Sequence, residues 1–142
     1  MNLAKIKTIA YWLTTGILGL DFLAGGVANL VRPPQLLSTM MHLGYPTYFL
    51  SILGVWKLLG GLALLAPGMP WLKEWAYAGV FFDLTSAALS HAASGDSAAK
   101  VVAPLVVGVF AAASYLFRPE SRALSVVEEP ERIEAAGRDL AA

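Results

Sequence analysis

The stretch YFLSILGVWKLLGGLALL, residues 48–65, is apolar almost throughout and carries a single cation, Lys57, at its centre. An ammonium in the middle of a membrane-spanning helix costs roughly 2.5–3.5 kcal/mol on insertion scales, so a partner is expected at the same depth. Neighbouring apolar runs supply two acids, Asp21 near the middle of residues 9–30 and Asp83 near the middle of residues 75–90. If these runs cross one bilayer, the three charges meet at its midplane, and the chain is organised around them.

Composition agrees. Of the 142 residues, 57% are hydrophobic and 14% charged, against about 25% charged in soluble domains. A soluble surface helix needs a polar face, and these runs have none. The net charge of zero, with no basic patch, argues against a nucleic-acid partner and leaves the lipid bilayer of the cell membrane as the expected one. The chain has no cysteine, which excludes disulfides, thiol catalysis and thiolate metal sites.

The pattern predicts an all-α, four-span transmembrane helix bundle. The spans fall at about 9–30, 48–66, 75–93 and 101–117, each near the roughly 20 residues that hydrocarbon requires. Arg32-Pro33-Pro34 stops the first, Pro67-Gly68-Met69-Pro70 turns between the second and third, and Ser94-Gly95-Asp96-Ser97 follows the third. The first run is too long for a signal peptide and is interrupted by Asp21. Residues 35–47, with Met40, Met41, His42 and Gly44-Tyr45-Pro46, suit an interfacial half-helix in the first outer loop. Trp71 and Trp75 around Lys73 and Glu74 read as a headgroup belt. Lys5, Lys7, Lys73, Arg118, Arg122, Arg132 and Arg138 fall on one side and only Arg32 and Lys100 on the other, which predicts both termini cytoplasmic. Residues 1–118 form the membrane domain, and 119–142 a polar acidic tail with Glu128, Glu129, Glu131 and Glu134.

Helical spacing puts Asp21 on one face with Thr14, Gly25 and Ala28, Lys57 with Gly54, Gly60 and Gly61, and Asp83 with Gly79, Ser86, Ala87 and Ser90. Small residues are what membrane helices place at contacts, so the three faces are expected to converge. Two acids around one base leave an excess carboxyl, which must be protonated or face water. The bland reading of the cluster is an ion pair that sets helix register; the functional one is a pocket walled by Gly25, Gly54, Gly61 and Gly79. Trp56 could stack on a ligand there or simply pack, and His91 sits about 12 Å further along the helix toward the outer surface. His42 and His91 have no third ligand at a fixed spacing, so no metal site is expected. Thr14, Thr15 and Asn29 read as helix–helix hydrogen bonds.

Tyr11-Trp12 with Thr15-Gly16, Gly25-Gly26, Leu43-Gly44-Tyr45-Pro46 with Tyr48-Phe49, Lys57-Leu58-Leu59-Gly60, residues 72–79 (LKEWAYAG), Phe82-Asp83 and Ser90-His91 together resemble the DoxX-like family of small four-helix membrane proteins, over roughly residues 8–118. The resemblance implies polar positions at Lys57, Glu74, Asp83 and His91. It also implies two functional readings, since the family takes its name from a subunit of a thiosulfate:quinone oxidoreductase and distant relatives are described as chaperones for membrane receptors. In the first, the chain is redox-associated, and Asp21, Lys57, Asp83, Trp56 and His91 bind a quinone-like or other small apolar ligand. In the second, it is a non-enzymatic assembly partner or chaperone, packing on another membrane protein or on its own copies. The residues assign neither activity, so membrane protein of unassigned activity is the expectation.

Overall fold

The computed structural model describes residues 2–124, which are helical with no strand among them; the acidic positions 128–134 lie outside the described residues. Five α-helices follow in order: α1 (Leu3–Val31), α2 (Pro34–His42), α3 (Phe49–Leu65), α4 (Pro70–Ala93) and α5 (Ala98–Leu116), then a 3-10 turn at Glu120–Arg122. Two helical stretches, Lys5–Val31 and Ala98–Leu116, are long and apolar enough to cross a membrane, and Phe49–Leu65 is a shorter apolar helix. The short α2 is the helix expected between the first two runs, started by Pro34 at its first position, where no amide donor is needed. Helix α4 begins at Pro70, a turn earlier than expected, because left-handed Gly68 (φ 65°) and Met69 (φ 49°) reverse the chain within a few residues.

Neighbouring helices run α3, α1, α5, α4. The α1–α3 contact is the most extensive and is made by glycine. A Cβ on Gly26 would stand 2.9 Å from Leu58 Cγ and 3.0 Å from Gly54 O; one on Gly61 would stand 3.0 Å from Leu23 Cγ and 3.1 Å from Gly19 O. Backbones this close gain dispersion contacts that larger residues would forbid. The α1–α5–α4 side is held by hydroxyls instead: buried Ser114 of α5 meets both Thr15 of α1 and Tyr77 Oη of α4, the latter at 2.7 Å. Thr15 is thus the interhelical hydrogen bond expected from the sequence, whereas Thr14 bonds back to Ala10 O and Tyr11 O within α1.

Lys73, expected as a headgroup-belt cation, is instead 1% exposed. Its Nζ donates to Ala63 O at 2.8 Å, Leu64 O at 3.3 Å and Ala66 O. The last carbonyls of a helix have no partner of their own, and an ammonium has three donors, so one side chain closes the end of α3. Arg122 joins it, donating to Tyr11 Oη at 2.9 Å and lying over the Trp12 ring, so the segment past α5 packs back onto α1. Burial first, then the charges of Arg122 and Arg118, push Lys73, in the first turn of α4, down to about 8.

Thermal unfolding in mild detergent tests this packing. Gly54→Ala would set a Cβ 2.8 Å from Leu30 Cγ and 3.0 Å from Gly26 O, and should cost about 1–3 kcal/mol. Gly16→Ala, whose Cβ would meet nothing within 4 Å, should be neutral or slightly stabilising. Between about 8 and 10.5 the unfolded chain binds more protons at Lys73 than the folded one, so stability should rise with pH across that window. Lys73→Met should flatten this rise and lower stability below it, and an unchanged pH profile in that variant would contradict the assignment.

Candidate functional site

The α3–α4 contact is the loosest in the ring. A cavity of about 640 Å³ fills that seam, within the range of small-molecule sites. Its walls are mostly apolar and reach from Ala63 and Leu72 at one end to Tyr45, Ser90 and His91 at the other, with α2 contributing Leu36, Thr39 and Met40 as a roof. Trp56, Trp75 and Phe82 line it while remaining exposed, so these rings form its open rim.

Lys57 and Asp83 stand in the wall, their Nζ and Oδ2 3.2 Å apart and their side chains 25% and 16% exposed. The pair bridges α3 and α4 across the seam. Lys57 Nζ also lies 5.5 Å from the centre of the Phe22 ring, which adds a cation–π contact. Of the expected glycine walls, only Gly79 lines the cavity; Gly60 does so as well, while Gly54 and Gly61 are consumed by the α1 contact. The face expected for α4 is the observed one, since Gly79, Asp83, Ser86, Ala87 and Ser90 all line the space.

Asp21 is not in this cluster. It is exposed on α1, and no hydrogen bond or ion pair to it is found among the described residues. Helix geometry gives the reason. Successive residues turn by about 100°, and α1 meets α3 through Gly19, Phe22, Leu23 and Gly26, so Phe22 points at Lys57 and its neighbour Asp21 points away. The expected three-charge centre is therefore a Lys57–Asp83 pair, which removes the excess carboxyl from the site.

His91 lies at the end of the cavity near the turn between α4 and α5. Its Nδ1 donates to Asp96 Oδ2 at 2.8 Å, and His42 Nε2 and Lys100 Nζ reach the same carboxylate at 3.1 Å and 2.8 Å. Asp96 was not singled out from the sequence. Only its spacing of four from Lys100 hinted at a pair, because Gly95 (φ 71°) folds the chain back over the end of α4 and so brings Asp96 to His91. The hydrogen bonds from Lys100 and His91 hold the Asp96 carboxyl well below the usual range. No grouping suited to a metal ion is found among the described residues. At the opposite end Glu74 pairs with Arg118 at 2.6 Å, and Arg118 lies over Tyr115 and Tyr77.

The sequence pattern of the DoxX-like family matches residues 13–114, more than two thirds of the chain and all of the cavity residues just named. The chain belongs to the DoxX-like family. With its long apolar helices, this DoxX-like chain is a membrane protein. No curated protein matches it, and no solved structure does.

If Lys57 and Asp83 depend on each other, removing one partner strands the other. A stranded carboxyl can take up a proton, whereas a stranded ammonium must give one up at greater cost near neutral pH. Asp83→Asn should therefore lower the melting temperature in detergent more than Lys57→Met, and Asp21→Asn should change stability by less than about 0.5 kcal/mol. A large loss in Asp21→Asn would restore the three-charge centre.

Proposed function

We propose that this protein is a four-span membrane protein of the cell membrane, with both termini cytoplasmic, that holds a small apolar ligand with a polar head in the α3–α4 cavity. A quinone is the type of ligand that fits. The observation that carries this reading is the cavity itself: an apolar space with one ion pair in its wall and aromatic rings at a rim open to the side. A lipid-soluble molecule could enter through that rim. Lys57 would donate a hydrogen bond to its carbonyl oxygen, and Asp83 would keep the ammonium charged while offering a place for a proton. Trp56 and Phe82 would lie along its body. A redox-associated role would use the same contacts, with no part for thiols, since the chain has none.

The topology rests on the basic residues. Lys73 and Arg122 both reach the carbonyl of Leu64, and Arg122 also reaches Tyr11, so the basic residues assigned to the cytoplasm gather at one end with the first turns of α1. An impermeant thiol reagent applied from outside should label cysteines placed at Thr47 or Ser97 and spare one placed at Gly68.

A second reading, as an assembly partner for a membrane protein or for its own copies, is favoured by one observation. Asp21 is exposed midway along α1, beside the exposed Ala24, and a carboxyl so placed in lipid gains from a partner helix. Asp21→Leu would then change the size of the detergent-solubilised particle. An unchanged size would count against this reading.

The ligand reading is tested with 1,4-naphthoquinone. At a hundredfold excess over its Kd, a ligand that binds only the folded state adds about 2.7 kcal/mol, which should appear as a rise in melting temperature. A Cβ at Gly79 would meet nothing within 4 Å, so Gly79→Leu should fill the cavity, keep the fold and abolish the rise. A rise that survives Gly79→Leu would place the ligand elsewhere.

A further inference from the structure

The outer end of the cavity has a polarity of its own, set by which protons are already committed. Asp96 accepts from His91, His42 and Lys100, and its side chain is 7% exposed. Because Asp96 is held as an anion, the nitrogen of His91 that faces it carries the hydrogen. In the neutral form of a ring so held the lone pair lies on Nε2, for which no partner is found among the described residues. The same accounting applies to the hydroxyls nearby. Ser90 Oγ donates to Ser86 O at 2.7 Å, so the 2.7 Å contact between Tyr45 Oη and Ser90 Oγ is a donation by the tyrosine. Thr39 Oγ1 donates to Gln35 O at 3.0 Å. These three hydroxyls spend their hydrogens within the protein, while a neutral His91 offers an acceptor. Asn29 and the Ser86 hydroxyl, also in the lining, can serve as either. At mid-depth the polarity is reversed, because Lys57 is a donor. The two poles lie about 12 Å apart along α4. Beside His91, Tyr45 and Phe49 are stacked with centroids 4.9 Å apart and planes 10° from parallel, and both line the cavity.

We propose that the outer end of the cavity recognises a hydroxylated aromatic ring, a phenol or hydroquinone, whose hydroxyl hydrogen is accepted by Nε2 of His91 while Asp96 fixes the imidazole tautomer. This rests on the cavity reading above and narrows it, since a fully oxidised quinone has no hydrogen to give at this end. His91 contacts the ligand; Asp96 acts through His91 as a positioning residue. The aromatic rings in the lining favour a flat body.

The test uses full-length protein in mild detergent and a matched pair of probes, 1-naphthol and 1-methoxynaphthalene, followed by quenching of tryptophan fluorescence, since Trp56 and Trp75 line the cavity. The wild type should bind the naphthol roughly tenfold more tightly than the ether, the scale of one hydrogen bond. His91→Phe should reduce that ratio to about one with the ether's affinity retained, and Asp96→Ala, which releases the ring without touching the ligand, should reduce it in part. Nitrogen-15 shifts of His91 in the wild type should report hydrogen on Nδ1, and hydrogen on Nε2 would overturn the proposal. Equal affinities in the wild type, or a preference that survives His91→Phe, would also overturn it while leaving the cavity reading in place. Failure of both probes to bind in the wild type would sink both together.

Discussion

The Lys57–Asp83 pair joins two helices that otherwise touch little. An ammonium in an apolar wall must be neutralised, and Asp83 is the acid that α4 brings within reach. That requirement holds α3 and α4 in register, yet it draws together only one point on each. Along the rest of the seam, small residues on α4, Gly79, Ser86 and Ala87, leave the space unfilled. The same interaction therefore ties the seam and sets a charge in the wall of the cavity the seam contains.

The seam can stay open because α3 is secured elsewhere. Its glycines pack backbone to backbone with α1, and its last carbonyls are closed by Lys73 and Arg122. These contacts use two faces of one short helix for two purposes: Gly54 and Gly61 for packing, Lys57 and Gly60 for the cavity. Ser114 does for α1, α4 and α5 what glycine does for α1 and α3, with hydroxyl partners in place of close backbones. A helix assembly in lipid has no hydrophobic effect between its helices to rely on, so contacts of these kinds carry its specificity.

Charge is arranged in layers along the helices. Lys73, Arg118 and Arg122 gather at one end with Glu74, the Lys57–Asp83 pair stands in the middle, and Asp96 collects His42, His91 and Lys100 at the other end. The cavity connects the second and third layers, and its polar lining on α4, from Asp83 through Ser86 and Ser90 to His91, is a continuous strip.

Much of this was legible in the sequence. Apolar runs broken by proline and glycine gave the helices, the helix between the first two runs included, and a spacing of three and four placed Gly79, Asp83, Ser86, Ala87 and Ser90 on one face of α4, because small and polar residues recur there at helical spacing. The motifs also led to the family. What the sequence alone could not decide was rotation about a helix axis. In α1, Gly16, Gly19, Gly25 and Gly26 allow more than one small-residue stripe, and the stripe that packs, through Gly19, Phe22 and Gly26, turns Asp21 away from the centre to which its depth had assigned it. In α3, Gly60 and Gly61 are adjacent yet point to a cavity and to a helix contact. Nor could spacing reveal Lys73 closing the end of α3, or Asp96 meeting His91 and His42, since these contacts form only when a turn reverses the chain or a separate helix lies alongside. Depth along a helix is one-dimensional and can be read by counting residues, whereas the direction in which a side chain points is settled by which neighbour packs closest.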